Sequence, residues 1–523
     1  MANFSTSIRS RGLHSALLAG LVLPTLTVIG ILAGSEPAWG KNGELQIRVI
    51  DAGTGEPIAV RMHLKNQRGR EVVPKNTVSW KGHFVIPGVA TLDLPVGRYQ
   101  FEMERGPEYR IRSGSFEMKS GASDSKQVDM VRIADLKQEG WWSGDLHIHR
   151  PLEDVELLMR AEDLHVGPVI TWWNDKSTWQ DKDVPDKILH QFDENRFYNS
   201  MAGEDERGGG ALLYFNRKAP LAVAGAEREY PSSLKFLLEA ARDDNVHIDI
   251  EKPFWWDMPI WVASQRVHSI GLAHNHMWRD GVLGNEAWGR PRPKRGYPDP
   301  HGNAQWTQHI YYQLLESGIR IPPSAGSASG VLPNPVGYNR VYAHVEGEFT
   351  YEKWWESLRA GRVFVTNGPL IRASINGKMP GHVFKSDQPL TLQIALNLAT
   401  REKIHYLEIV QNGKVKHEVL LSEVAKKRGK LPEVQFDESG WVLVRAVTNA
   451  SETYRFASTG PFYVEIGQQP RISRKAVDFF IQWVDERSSM IKLDDAKKQE
   501  EVMKYIRGAE QFWKKKRLAG TVD

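Results

Sequence analysis

The sequence predicts a mixed α/β protein, in which an α/β centre lies between two small β modules and a helical tail follows. Three observations predict it. Period-two alternation of apolar and polar residues begins near residue 43, and short strand-like runs alternate with helical stretches from residue 140. Period two then returns after Pro389, ahead of a helical C-terminus. A chain of 523 residues has room for about three domains. Hydrophobic residues at 41% and charged residues at 25% exclude a disordered, collagenous or polytopic membrane chain. A formal charge of +4 implies no nucleic-acid partner. The absence of cysteine excludes disulfides, a thiolate nucleophile and Cys-ligated metals, and the 18 tryptophans raise the question of where they cluster.

Residues 1–40 read as a secretory signal peptide. Arg9 and Arg11 precede the apolar run Ala16–Ala33, and Ala38 and Gly40 supply the small residues of a cleavage site. A periplasmic or secreted location follows. The other reading, an uncleaved anchor, is the only membrane association implied.

Residues 43–133 read as a β-sandwich. Leu45, Ile47 and Val49 alternate with polar residues, as do Val60, Met62 and Leu64, and then Tyr99, Phe101 and Met103. VIDAGTGEPIAVRMHL and LPVGRYQFEMERGPEY resemble transthyretin-like, carboxypeptidase-regulatory-like modules, which implies packing or docking rather than chemistry.

Residues 140–384 form the α/β centre. The runs PVIT, ALLYF, VHIDI and SIGLAH alternate with the helical stretches DVELLMRAEDL and PSSLKFLLEAARDD, the second capped by Ser232 or Ser233. Chemistry in such folds collects at the C-terminal ends of strands. Residues 387–466 read as a second β-sandwich with a hairpin turn at Asn412-Gly413. Residues 471–523 read as a helical tail with stripes at Val477, Phe480, Ile481 and Val484 and at Val502, Tyr505, Ile506, Ala509 and Trp513. The basic run Lys514–Arg517 is a solvated helix end favoured by the helix dipole.

The phrase carrying most chemistry is GWWSGDLHIHR. In a strand, His147 and His149 face the same side, which suits two imidazoles on one cation. A second pair, His274 and His276, also ends a strand-like run. Glu204 lies in the acid-rich AGEDER segment, and Glu251 and Lys252 end VHIDIEKP, where the lysine would lower the carboxylate pKa. Each of these groups also has a plain structural reading, as satisfied core histidines, a solvated loop or an ion pair. The Gly-, Ser- and Pro-rich loop around Gly326–Gly330 lacks a serine elbow, because Ala328 stands at its centre.

GDLHIHR after Trp-Trp, AEDLHV, Gly203-Glu204 and LRAGRVFVTNGPLIRASINGKMPGHVF together resemble the PHP superfamily (polymerase and histidinol phosphatase), nearest its carbaryl-hydrolase-like CehA/McbA branch. The resemblance covers about Trp141 to Phe384. It implies a distorted (β/α)7 barrel, flanked here by the two β-sandwich modules and the helical tail, that uses divalent metals to hydrolyse ester, carbamate or phosphoester bonds. The chain departs from the pattern at Thr171-Trp172-Trp173-Asn174-Asp175, at Lys252-Pro253 and at Gly326–Gly330, where the family's remaining aspartate and histidines would stand. The expected metal set is therefore reduced to His147, His149, Glu204 and His276, suited to Zn²⁺ or Mn²⁺. Glu204, Glu251 and Lys252 are the candidate catalytic groups, with Glu204 as ligand or base and Lys252 stabilising a developing anion.

Two functions stay open at this point. One is an exported metal-dependent hydrolase of a small-molecule or carbohydrate substrate. The other is a catalytically silent PHP-like domain that binds carbohydrate or envelope ligands through a cleft lined by Trp172, Trp173, Trp255 and Trp256.

Overall fold

The computed structural model describes residues 42–174 and 176–523, so the expected signal segment 1–40 lies outside the described residues, as does Asp175. The described chain is mixed α/β, with eight α-helices among many short strands. No helix among the described residues is long and apolar enough to cross a membrane.

The N-terminal module is two sheets over one core. The strand Gly43–Asp51 alternates buried and exposed residues along its length and lies between Val89–Leu94 and Ser123–Met130. The second sheet has five strands, with Val60–Asn66 and Gly97–Glu104 at its middle. Leu45, Ile47, Val49, Val60, Met62, Leu64 and Met103 fill the space between them.

The central strands are hydrogen-bonded into a closed circuit. Trp141–Gly144 joins Val166–Trp173, which runs parallel to Arg196–Arg207. Gly210–Phe215 and His247–Ile250 follow antiparallel, and Ser269–Ala273 and Pro323–Ala325 follow parallel. Arg340–His344 returns to pair antiparallel with Trp141–Gly144. The strands His247–Ile250 and Ser269–Ala273 are buried at every residue, as expected where both faces are covered. One cover is the helix Ser233–Ala240, whose N-cap Ser232 accepts a hydrogen bond from the Leu234 N–H. Another is Gly302–Glu316.

Sheet hydrogen bonding does not break at residues 384–387, where the sequence suggests a boundary. Val363–Thr366 pairs with Arg340–His344 on one side and Phe456–Thr459 on the other. Leu370–Ile375 pairs with Ile394–Ala399, so the segment after Thr366 shares its core with the C-terminal strands. The tail forms the helices Arg474–Met490 and Ala496–Leu518, capped by Ser473 and Asp495. Val477, Phe480, Val484, Val502, Ile506, Ala509 and Trp513 are buried as the stripes predict, Ile481 and Tyr505 are only half-buried, and Trp483, not in the stripes, is buried; Trp513 Nε1 donates to the Pro259 carbonyl at 3.0 Å. The tail is thereby part of the central core.

A buried charge network joins the N-terminal module to the centre. Arg61 bridges Glu104 at 3.2 Å and Glu162 at 2.6 Å. Arg105, Arg132 and Arg196 surround Asp163 at 3.3, 2.8 and 2.5 Å. Arg279 and Arg401 reach Glu104 from two later segments at 3.1 and 3.3 Å.

Candidate metal centre

Beyond Gly144 the chain stays extended between two neighbours. The Leu146 N–H donates to the Ala325 carbonyl at 3.0 Å and the His149 N–H to the Ser329 carbonyl at 2.8 Å, while the Ile148 carbonyl accepts from the Ile170 N–H at 2.7 Å. Alternation then sends Leu146 and Ile148 into apolar cores and His147 and His149 to the opposite face. Asp145 fixes this segment, because its buried carboxylate accepts from the backbone N–H groups of His147, Ser327 and Gly337 at 3.0, 2.9 and 2.6 Å.

Glu204 enters from the next strand but one, in register with Trp173. Its neighbour Gly203 is required for the approach, since a Cβ there would stand 1.8 Å from the Trp172 ring. The Nε2 atoms of His147 and His149 are 2.9 Å apart, and Glu204 Oε2 lies 3.5 and 3.2 Å from them. Among the described residues, these three form the group whose ligand atoms converge closely enough to hold one ion. Bonds of about 2.0–2.2 Å to a tetrahedral ion separate ligand atoms by roughly 3.3–3.6 Å, so the triangle needs only a small expansion to fit Zn²⁺ or a similar ion. The donor set of two imidazoles and a carboxylate also suits Mn²⁺.

Burial opposes the charge on His147, but the carboxylates of Glu204 and Glu251 outweigh it and hold the ring up at about 10. Burial likewise opposes the charge on Glu204, yet His147 and His149 bring it down to about 2. Burial pushes His149 below its usual value. The cluster is therefore poised to exchange one imidazolium proton for a cation.

Glu251 follows the strand His247–Ile250 and stands 3.3 Å from His147 Nδ1. Its Oε1 also accepts from Lys252 Nζ and from Asn275 Nδ2, the latter at 2.9 Å, and its Oε2 accepts from Trp255 Nε1 at 2.9 Å. Lys252 is 2% exposed and its ammonium lies 4.6 Å from the centre of the Trp255 ring.

Not every expected site residue joins the group. His276 is buried but outside the converging triad; its ring lies against Phe254, with Nδ1 unpartnered. His274 is bonded through Nε2 to the Thr307 hydroxyl at 2.9 Å. The four tryptophans separate. Trp172 and Trp255 are each 1% exposed, with Trp172 stacked on Tyr214 and Trp255 on Trp288. Trp256 meets Trp483 of the tail edge-on. Trp173 alone is half-buried beside the centre, with its ring 4.9 Å from that of His149.

Glu206 is a neighbour the sequence reading did not single out. It accepts from Trp173 Nε1 at 3.3 Å, and burial, with Glu204 and Glu251 nearby, pushes its carboxyl up to about 8. Its position two residues after Glu204 on the same strand is the signal that could have found it. Asp145 carries the same kind of signal, two residues before His147.

No family model and no curated protein matches the chain. The similarities to solved structures are short. The Bacillus anthracis TIE protein is 24% identical over 22% of this chain and 20% of its own, with a TM-score of 0.15. Phospholipase PlaB from Legionella pneumophila is 14% identical over 19% of this chain and 27% of its own, with a TM-score of 0.14. A pilus-presented adhesin is 15% identical over 17% of this chain and 26% of its own, with a TM-score of 0.11. The chain thus spans only a fifth to about a quarter of these structures' lengths, and overlaps of that extent decide neither fold nor activity.

Proposed function

We propose that the chain is an exported, PHP-like metal-dependent hydrolase of ester or phosphoester bonds with a reduced metal site. In this reading the closed central circuit is a distorted (β/α)7 barrel carrying two β-sandwich modules. The observation that carries it is the meeting of His147 Nε2, His149 Nε2 and Glu204 Oε2 within 3.5 Å of one another at the C-terminal side of the central strands. A divalent ion bound there supplies Lewis acidity and an acidified water.

The protein's own groups supply the rest. His147, His149 and Glu204 would hold the ion. Glu206, bonded to the half-buried Trp173 and two residues from Glu204 on the same strand, would be the group to move a proton. Burial of Trp172 and Trp255 leaves the binding-only reading with Trp173 and Trp256, which face different neighbours.

The test is hydrolysis of p-nitrophenyl acetate and p-nitrophenyl phosphate by the mature protein with added Zn²⁺ or Mn²⁺. Turnover of either that is abolished by a chelator and by His147→Ala is expected. Turnover of neither, by protein shown to hold metal, would remove the hydrolase assignment.

A further inference from the structure

Four protein groups crowd the carboxylate of Glu251. His147 Nδ1, Lys252 Nζ and Asn275 Nδ2 converge on Oε1, and Trp255 Nε1 occupies Oε2. The residue is buried, at 4% exposure. Both oxygens are thus already bonded to protein donors, one of them a cation, which disfavours Glu251 as a ligand. It also stands 3.3 Å from His147 Nδ1, and a proton kept there would leave the Nε2 lone pair for an ion between His149 and Glu204. Lys252 brings its ammonium to the same oxygen, Oε1, and the Trp255 ring covers that ammonium at 4.6 Å.

We infer that Glu251, clamped by Lys252, Trp255 and Asn275, is a positioning residue that orients His147 and is not itself a ligand, so that the centre takes a single divalent ion. The inference rests on the metal-centre reading above and adds the division of labour and the stoichiometry. Glu251 acts through His147, and Lys252 and Trp255 act through Glu251.

Co²⁺ is the probe, because its visible d–d absorption reports the ligand set directly. The full chain is expected to bind one Co²⁺ with a four-coordinate band. Glu204→Gln removes a ligand and abolishes that band. Glu251→Gln keeps the band and weakens the Kd by about 10- to 100-fold, the range for losing an outer partner of a ligating histidine. Trp255→Phe, which preserves most of the packing and removes one clamp, weakens it in the same direction by less, and it carries the test if Glu251→Gln does not fold. The inference is overturned by two Co²⁺ per chain, by loss of the band in Glu251→Gln, or by unaltered affinity in both Glu251→Gln and Trp255→Phe. Absence of any Co²⁺ band in the parent protein would instead remove the metal-centre reading beneath it.

Discussion

Two buried clusters of charge lie within this chain, and they are built in opposite ways. At the junction of the N-terminal module and the centre, each carboxylate is surrounded by cations. Asp163 meets Arg105, Arg132 and Arg196, and Glu104 meets Arg61, Arg279 and Arg401. Burial opposes ionisation of Glu104, yet Arg61 and Arg401 bring it down to about 2. Around His147, His149 and Glu204 the arrangement is reversed, with three potential lone-pair donors facing one another. The first cluster pairs its carboxylates with protein cations and reads as a lock. The second would be completed by a proton or, in the proposed function, by a cation between its members.

The contrast breaks most visibly at Arg61. Arg61→Met leaves Glu104 and Glu162 buried without one of their cations and should cost about 3–5 kcal/mol in urea unfolding, with the N-terminal module loosened first. A loss below about 1 kcal/mol would mean that the network is not a lock. His149→Ala is the converse. It should weaken Zn²⁺ binding by about 100-fold or more, while the metal-free protein unfolds at nearly the parent's urea concentration. Equal destabilisation of metal-free protein by both variants would erase the distinction.

Acid titration sharpens the comparison further. Burial holds His165, near the lock, down at about 3, and His83 down at about 2. The folded state keeps both neutral, whereas the unfolded chain takes up protons below about pH 6.5. Their contribution is therefore constant above pH 6.5 and falls as the pH drops, by up to about 1.4 kcal/mol per pH unit for each histidine. His147 has the opposite sign in metal-free protein. Its raised value adds stability that is full below pH 6.5 and is lost as the pH climbs towards about 10. Unfolding followed from pH 4 to 7 should give a shallower acid limb in His165→Phe than in the parent, and an unaltered limb would contradict the assignment. The smallest effect belongs to Arg279, whose side chain is 22% exposed; Arg279→Ala should cost about 1 kcal/mol by thermal unfolding, since solvent screens part of its attraction to Glu104.

What the sequence made legible follows from how local each signal is. His147 and His149 are two residues apart on an extended segment, so alternation alone sets them on one face. The tail stripes were readable in the main, because helical period fixes the buried face, although Ile481 and Tyr505 are only half-buried and Trp483 was left out. Glu204 came from a family phrase. Of the clamp on Glu251, the adjacent Lys252 was readable, whereas Asn275 was not, since it reaches the carboxylate from 24 residues away through the turn after another strand. The tryptophans misdirected for a related reason. Trp172 and Trp173 are adjacent, and one alternation step sends Trp172 behind Gly203 and Trp173 to the His149 ring. The lock was invisible because its partners are as far apart in sequence as Arg61 and Glu162, or Glu104 and Arg401.

The most direct test of the central claim is the metal content of full-length protein purified without chelator and re-equilibrated with limiting Zn²⁺, measured by inductively coupled plasma mass spectrometry for the parent and for His149→Ala. One ion per chain in the parent and close to none in His149→Ala is the predicted result. A parent that retains no metal, or a His149→Ala protein that retains as much as the parent, would contradict the claim.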